Sequence, residues 1–338
     1  MSRRPTHRRA RRLPESSEDS EDTSARSETS GYDSSASERD EDDSGSSEDA
    51  SSPRILARTT RQTSLPKKVY GLPSWTLNYL RVGEVRETIK WMHNVDLTGW
   101  NPDDSWRNGL LLPDELENRL EDIDVFGDYF WVTTLRGHCL VELSCMDLAL
   151  KSLVKRYGGD HDIFAVPSYL IRYPEFDREE VSQSEVWHQI RAAAEQKKLW
   201  SDDACSTVYD DRVKPLWLFA VILYRNEHWC AVAVNFNDLT ITVFDPQRTG
   251  DKYEALRKYL YADLVPLLPQ PPSPKRYRFK QLEWMTQVDS YNCGVFVIMF
   301  FEMLLLDVAV VGSESASEST IAMQYFRYRF ISHILSSM

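Results

Sequence analysis

Gln287-Val288-Asp289-Ser290-Tyr291-Asn292-Cys293-Gly294-Val295-Phe296 closes a polar turn on a cysteine and opens the longest apolar run of the chain, Val295 to Val311. Glu302 and Asp307 interrupt that run, which marks it as a core helix rather than a membrane span. Cys293 then stands at the N-terminus of a buried helix, where unpaired N–H groups and the helix dipole favour a thiolate. A cysteine taken alone is more often a buried, inert thiol. The residues upstream change that reading.

His228-Trp229, Asp245 and Gln287 precede Cys293 in one segment, each at an edge of an apolar run. A thiol nucleophile needs a base to take its proton, a carboxylate to orient that base and a donor for the oxyanion. His228 follows the turn residues Asn226-Glu227, and Asp245 ends the next strand in Phe244-Asp245-Pro246. Neighbouring strand ends lie close in space, so Asp245 is placed to fix the tautomer of His228. Gln287 stands where its amide can donate to an oxyanion, and Gly294 lets a substrate carbonyl approach the backbone. With protonated His228 nearby, Cys293 is expected to ionise below the ordinary value of about 8.5. Singly these are a surface histidine, a turn aspartate and a strand-end glutamine; the conjunction reads as a cysteine hydrolase.

His228-Trp229, Phe244-Asp245 and Gln287 to Phe296 resemble the signature of the Ulp1/SENP-type cysteine proteases, which process SUMO and related modifiers, in the same chain order. The resemblance covers residues 138–338. It implies a papain-like α+β fold with Cys293 as nucleophile, His228 as base, Asp245 as orienter and Gln287 as oxyanion donor. Trp229 would pack beside a narrow channel that admits a Gly-Gly tail. The implied reaction cleaves the peptide or isopeptide bond after that tail, with no metal or organic cofactor. The implied partners are SUMO or another ubiquitin-like modifier and its conjugates. Two departures stand out. Asn292 replaces the aspartate usual before the nucleophile, and no Trp-Leu-x-Asp motif opens the domain, where Gly137-His138-Cys139-Leu140 and Leu143-Ser-Cys145-Met-Asp147 stand instead.

The chain has 338 residues and a formal net charge of −12. From Pro14 to about Pro53 it is Ser, Asp and Glu with almost no large apolar side chain, so residues 1–66 are expected to be a disordered tail. That tail opens with Arg3, Arg4, Arg8, Arg9, Arg11 and Arg12, a cluster that suits nuclear import or a nucleic-acid arm. With the family resemblance, it makes nuclear localisation the expectation. Residues 1–66 hold 11 Lys and Arg against 14 Asp and Glu, so the remainder, with 29 against 38, carries −9. An acidic folded part argues against nucleic acid as its main ligand, leaving only the arginine-rich arm for that role. The five cysteines, Cys139, Cys145, Cys205, Cys230 and Cys293, form no CxxC pair and no zinc-ligand spacing, and an odd count with no apolar core behind the arginines suggests a reducing compartment.

Residues 67–130 are tryptophan-rich and read as an accessory layer packed on a main domain of residues 131–338. Trp75, Tyr79, Val82, Val85, Ile89 and Met92 recur at helical steps, and Pro113 opens a short helix. Leu143 to Tyr157 reads as an amphipathic helix, Asp162 to Val166 as a strand, and Ser182-Gln-Ser-Glu185 as a capping box for a helix to about Leu199. Leu216–Tyr224, Trp229–Asn235 and Leu239–Phe244 form a strand meander. A helix over Lys252–Leu264, a proline-rich loop with a basic far end, a strand over Tyr277–Met285 and a final helix over Thr320–Leu335 complete an α+β domain with a mostly antiparallel sheet flanked by helices. Ile123-Asp-Val125-Phe126 reads as an ordinary core strand, or as an edge that adds to a modifier's sheet.

The non-protease alternatives are an acetyltransferase on a related scaffold and an inactive modifier-binding module. Within proteases, the alternatives to SUMO are ubiquitin, another ubiquitin-like protein or a non-modifier substrate.

Overall fold

The apolar run folds as a helix, Cys293–Leu306, whose residues Val295 to Phe301 are all buried. In this computed structural model the described residues are 74–97, 109–175, 177–200, 214–282, 284, 286–306 and 316–338, all within the unit Thr60–Met338. The expected tail of residues 1–66, Trp100, Trp106, Cys205, Asp307 and Met285 lie outside them.

The helices are α1 (Ser74–Asn94), α2 (Pro113–Glu121), α3 (Leu143–Tyr157), α4 (Arg178–Gln183), α5 (Glu185–Gln196), α6 (Gly250–Tyr259), α7 (Cys293–Leu306) and α8 (Ala316–Ser336), with a 3-10 helix over Asp128–Leu135. The strands are β1 (Asp162–Val166), β2 (Arg172–Tyr173), β3 (Leu216–Tyr224), β4 (His228–Asn235), β5 (Thr240–Phe244) and β6 (Arg278–Gln281). Their order is β1-β3-β4-β5-β6, with β2 beside the far end of β3.

The α+β class holds, but the sheet is mixed rather than mostly antiparallel. The meander β3-β4-β5 is antiparallel, while β1, β2 and β6 join it in parallel. Each parallel strand is reached by a long connection, which frees it from hairpin geometry. β3 and β4 are almost continuously apolar because both sheet faces are covered. Phe219, Val221, Trp229, Ala231 and Ala233 share one core with α7, α3 and α8. Leu218, Ala220, Ile222, Cys230, Val232 and Val234 share the other with α5 and α6.

The predicted accessory segment packs into the first of these cores. Leu116 and Leu120 of α2 and Val85 and Met92 of α1 are buried there, and Arg119 Nη1 donates to Leu335 O at 2.6 Å. Among the described side chains of α1, those that reach this core lie in its C-terminal half, and Tyr79, expected on the apolar side, is 75% exposed. Ile123 to Phe126 forms a turn instead of a strand: the Asp124 carboxylate accepts from Phe126 N–H and the Asp124 carbonyl from Gly127 N–H, both at 2.9 Å. The expected capping box at Ser182 is also absent. Ser184 is the N-cap of α5, Asp177 caps α4 through Glu179 and Glu180 N–H, and Ser182 donates to Glu179 O.

Glu302, which interrupts the apolar run, is fully buried and pairs with Arg329 of α8 at 2.8 Å while Tyr157 OH donates to it at 2.6 Å. Among the described residues no helix is long and apolar enough to cross a membrane.

Candidate active site

The turn from β3 to β4 sets the first component. Arg225 and Asn226 both have positive φ, 50° and 60°, and Glu227 N–H donates to Tyr224 O at 3.1 Å. Two consecutive left-handed residues match the twist of a tight hairpin. His228 therefore begins β4 opposite Tyr224. The β4–β5 register pairs Ala231 with Phe244, which brings Asp245 to the level of Cys230, one turn of the pleat from His228.

His228 Nε2 meets Asp245 Oδ1 at 2.7 Å, and both residues are buried. The other lone pairs of Asp245 are also filled. Oδ1 accepts from Gln247 N–H at 2.8 Å, and Oδ2 accepts from Thr249 N–H at 3.2 Å and Thr249 Oγ1 at 3.0 Å. Burial alone would raise the Asp245 carboxyl, but these donors outweigh it and hold the group below its ordinary range. Asp245 is thus an anion that fixes Nε2–H of His228, leaving Nδ1 as the basic nitrogen.

Cys293 is 2% exposed at the first position of α7. The backbone N–H groups of Trp229 and Gly294 favour its ionised form, and the Trp229 ring packs against the neighbouring Gly294, so the residue next to His228 lies beside Cys293. The described hydrogen bonds do not include one between the imidazole and the thiol. The expectation of a lowered thiol pKa is overturned: burial pushes Cys293 above its ordinary value, the two N–H donors and Arg327 pull against it, and Asp289 pushes it further up. Desolvation of a sulfur anion outweighs the helix terminus. Burial thus favours the neutral thiol of Cys293 over the thiolate.

Gln287 is tied to the end of β5. Its N–H donates to Pro246 O at 2.7 Å, which anchors it to the residue after Asp245. The side chain is buried, with Nε2 donating to Asp289 Oδ1 at 3.2 Å and Oε1 without a partner.

Gly294 carries a packing demand in addition to the expected approach of substrate. A Cβ there would lie 2.8 Å from Val141 Cβ and 3.2 Å from Trp229 Cδ1. Trp229 is itself buried, with its indole N–H on Val141 O at 2.9 Å. The chain between the two segments that stand in place of a Trp-Leu-x-Asp motif thus abuts the residue after Cys293.

The sequence reading did not find what holds the turn. Asp289 accepts from Tyr291 N–H at 2.9 Å, Asn292 N–H at 2.8 Å and Asn292 Nδ2 at 2.7 Å, besides Gln287. An aspartate bonding the N–H groups two and three residues on is an Asx-turn, and Asp-Ser-Tyr-Asn carries that signal. Arg327, within the final helix, is fully buried and donates to Asn292 Oδ1 at 2.8 Å, Tyr291 O at 3.1 Å, Cys139 O at 2.8 Å and Leu135 O at 3.1 Å. Burial lowers its pKa to about 10. Asn292 thus uses its amide in both directions, donating to Asp289 and accepting from Arg327; an aspartate there would set two carboxylates against each other.

His228, Cys230 and Asp245 place one potential metal-ligand atom each within 4.8 Å of one another. The Asp245 oxygens are already filled by protein donors, and burial raises Cys230 well above its ordinary value, so the set fits a metal ion poorly.

Residues 168–331 match the family model described as the Ulp1 protease family, C-terminal catalytic domain, a narrower span than the 138–338 expected. No curated protein matches the chain by sequence. Among solved structures, the SUMO protease Ulp1 with its catalytic cysteine oxidized to a sulfonic acid is 16% identical with a TM-score of 0.43, covering 75% of this chain and 95% of that one. The C-terminal Ulp1 protease domain in complex with Smt3, the yeast ortholog of SUMO, is 15% identical with a TM-score of 0.42, covering 71% and 97%. ChlaDub1 from Chlamydia trachomatis is 11% identical with a TM-score of 0.39, covering 57% and 91%. The sequence match spans His228, Asp245, Gln287 and Cys293, and residues 168–331 are similar to the catalytic domain of the Ulp1 protease family, a likeness that marks a cysteine peptidase.

Proposed function

We propose that the protein cleaves the peptide or isopeptide bond after the Gly-Gly tail of SUMO or a related ubiquitin-like modifier. The observation that carries this reading is the buried His228–Asp245 pair at 2.7 Å, with Trp229, the residue after His228, packed against Gly294, the residue after Cys293. His228 Nδ1 takes the thiol proton as Cys293 Sγ attacks the glycine carbonyl, and Asp245 stabilises the imidazolium that forms. The second N–H of the Gln287 amide donates to the oxyanion. The imidazolium returns the proton to the leaving amine, and water then releases the modifier from the thioester by the reverse sequence. Trp229 forms a fixed wall of the channel for the tail, which admits glycine because no side chain need pass it. None of these steps asks for a metal or an organic cofactor. The modifier and its conjugates are the proposed partners.

Probes made of full-length SUMO and of ubiquitin, each with a C-terminal thiol-reactive group, test the reading. A covalent adduct with the SUMO probe, absent in Cys293→Ala, is expected. An adduct with ubiquitin alone would transfer the specificity to ubiquitin, and no adduct from folded protein would leave a binding module. We also propose nuclear localisation through the arginine cluster; unchanged nuclear accumulation after deletion of residues 1–12 would remove its basis.

A further inference from the structure

Gln287 is held in an orientation that its own hydrogen bonding does not favour. The amide has two donors and one acceptor, yet Oε1 is buried without a partner while Nε2 faces Asp289 Oδ1 at 3.2 Å. A carboxylate only accepts, so it dictates which end of the amide turns toward it. With Asp289 present, the nitrogen faces the turn that precedes Cys293. Asp289 is itself immobilised by Tyr291 N–H, Asn292 N–H and Asn292 Nδ2, and Asn292 is fixed in turn by Arg327.

We propose that Asp289 is the positioning residue for the oxyanion donor: its carboxylate selects the orientation of the Gln287 amide in which an N–H, not the carbonyl oxygen, is presented to the reacting centre. Without it, either end of the amide can face the substrate, and the carbonyl end repels an oxyanion. Asp289 acts through Gln287 and touches no reacting atom. This assignment rests on the proposed role of Gln287. The proximity of the same carboxylate to the thiol, which it pushes upward, agrees with a place at the edge of the site.

The test must separate holding the amide from forming the turn. Asp289→Ser keeps an oxygen that can accept the N–H groups two and three residues on, but its shorter side chain does not reach the Gln287 amide. Asp289→Ser, Gln287→Ala and the double variant are compared by kcat and KM on SUMO and ubiquitin bearing a C-terminal fluorogenic amide. Asp289→Ser is expected to lower kcat about tenfold, less than the roughly 10²–10³ for losing a donor outright, with KM within twofold. In the Gln287→Ala background the same change is expected to cost less than about twofold, because the group it positions is gone. Equal losses in both backgrounds would make Asp289 a turn residue only and overturn the proposal.

A second readout does not depend on turnover. In protein labelled with ¹⁵N-glutamine, the side-chain amide signal lost in Gln287→Ala is expected to shift and exchange faster in Asp289→Ser. An unmoved signal would overturn the assignment. A wild-type protein that hydrolyses neither substrate defeats the proposed function, while the amide signal still decides the role of Asp289.

Discussion

The two halves of the site are finished to different degrees. The His228–Asp245 half is built on adjacent strand ends, and every acceptor position of Asp245 that the geometry offers is occupied from within five residues or from His228 itself. The Gln287–Cys293 half is a turn held from a distance, by a guanidinium on α8 that reaches into it and by one carboxylate, and it retains an unpartnered buried oxygen. In the proposed mechanism the base is thus prepared in the free protein, whereas the thiol of Cys293 and the amide of Gln287 await the substrate. Pre-organisation is concentrated where charge already exists, on Asp245, and is weaker where charge develops during the reaction.

That contrast can be broken most sharply at its two poles. Cys293→Ala and His228→Ala should each lower kcat/KM by roughly 10⁴-fold or more, as removing a member of a triad does elsewhere. Turnover in Cys293→Ala above that floor would show a different nucleophile. Arg327→Met tests whether the turn is held from α8. It strands the carbonyls of Tyr291, Cys139 and Leu135 and the amide of Asn292, and should cost about 3 kcal/mol or more in chemical denaturation. Gln287→Ala should cost about 10²–10³ in kcat with little change in KM. A purely KM effect would move Gln287 from the oxyanion to substrate binding.

Two pH measurements sharpen the same comparison. Because burial raises the thiol, alkylation of Cys293 by iodoacetamide should keep climbing about tenfold per pH unit up to and beyond 9.0 rather than level off near neutrality. A plateau below pH 7 would instead show a resting thiolate–imidazolium pair. The smallest effect belongs to Asp245. Its folded pKa is depressed, so its contribution to stability is full above the unfolded value of about 3.9 and is lost as pH falls through the folded value. Stability of Asp245→Asn measured from pH 6 down to pH 2 should therefore show a shallower acid dependence than that of the wild type.

Much of the layout was legible because it depends on local pattern. Leu143–Tyr157, Asp162–Val166 and Leu216–Tyr224 form with the predicted bounds, since amphipathic period and uninterrupted apolar runs report helix and buried strand directly. Phe244-Asp245 beside His228-Trp229 was legible for the same reason: a tight turn leaves only one register for a meander. Strand direction at the sheet margins was not, because parallel pairing of β1, β2 and β6 is decided by where long connections return. Nor was the thiol pKa. A helix N-terminus and a histidine can be read from sequence, but the desolvation that outweighs them is a property of the whole core. The role of Arg327 was not legible because its partners, backbone carbonyls and the Asn292 side-chain oxygen, are separated from it by more than thirty residues.

Gly294 carries a consequence for how this site can be lost. The helix bearing the nucleophile sits against Val141 and Trp229 with no room for one more carbon atom. A single alanine at that position would wedge α7 away from β4 while leaving His228, Asp245, Gln287 and Cys293 unaltered. A chain so changed would keep every residue by which a peptidase is recognised and lose the spacing by which it works. One mutational route from a peptidase to a silent holder of its substrate would thus run through a residue with no chemistry of its own.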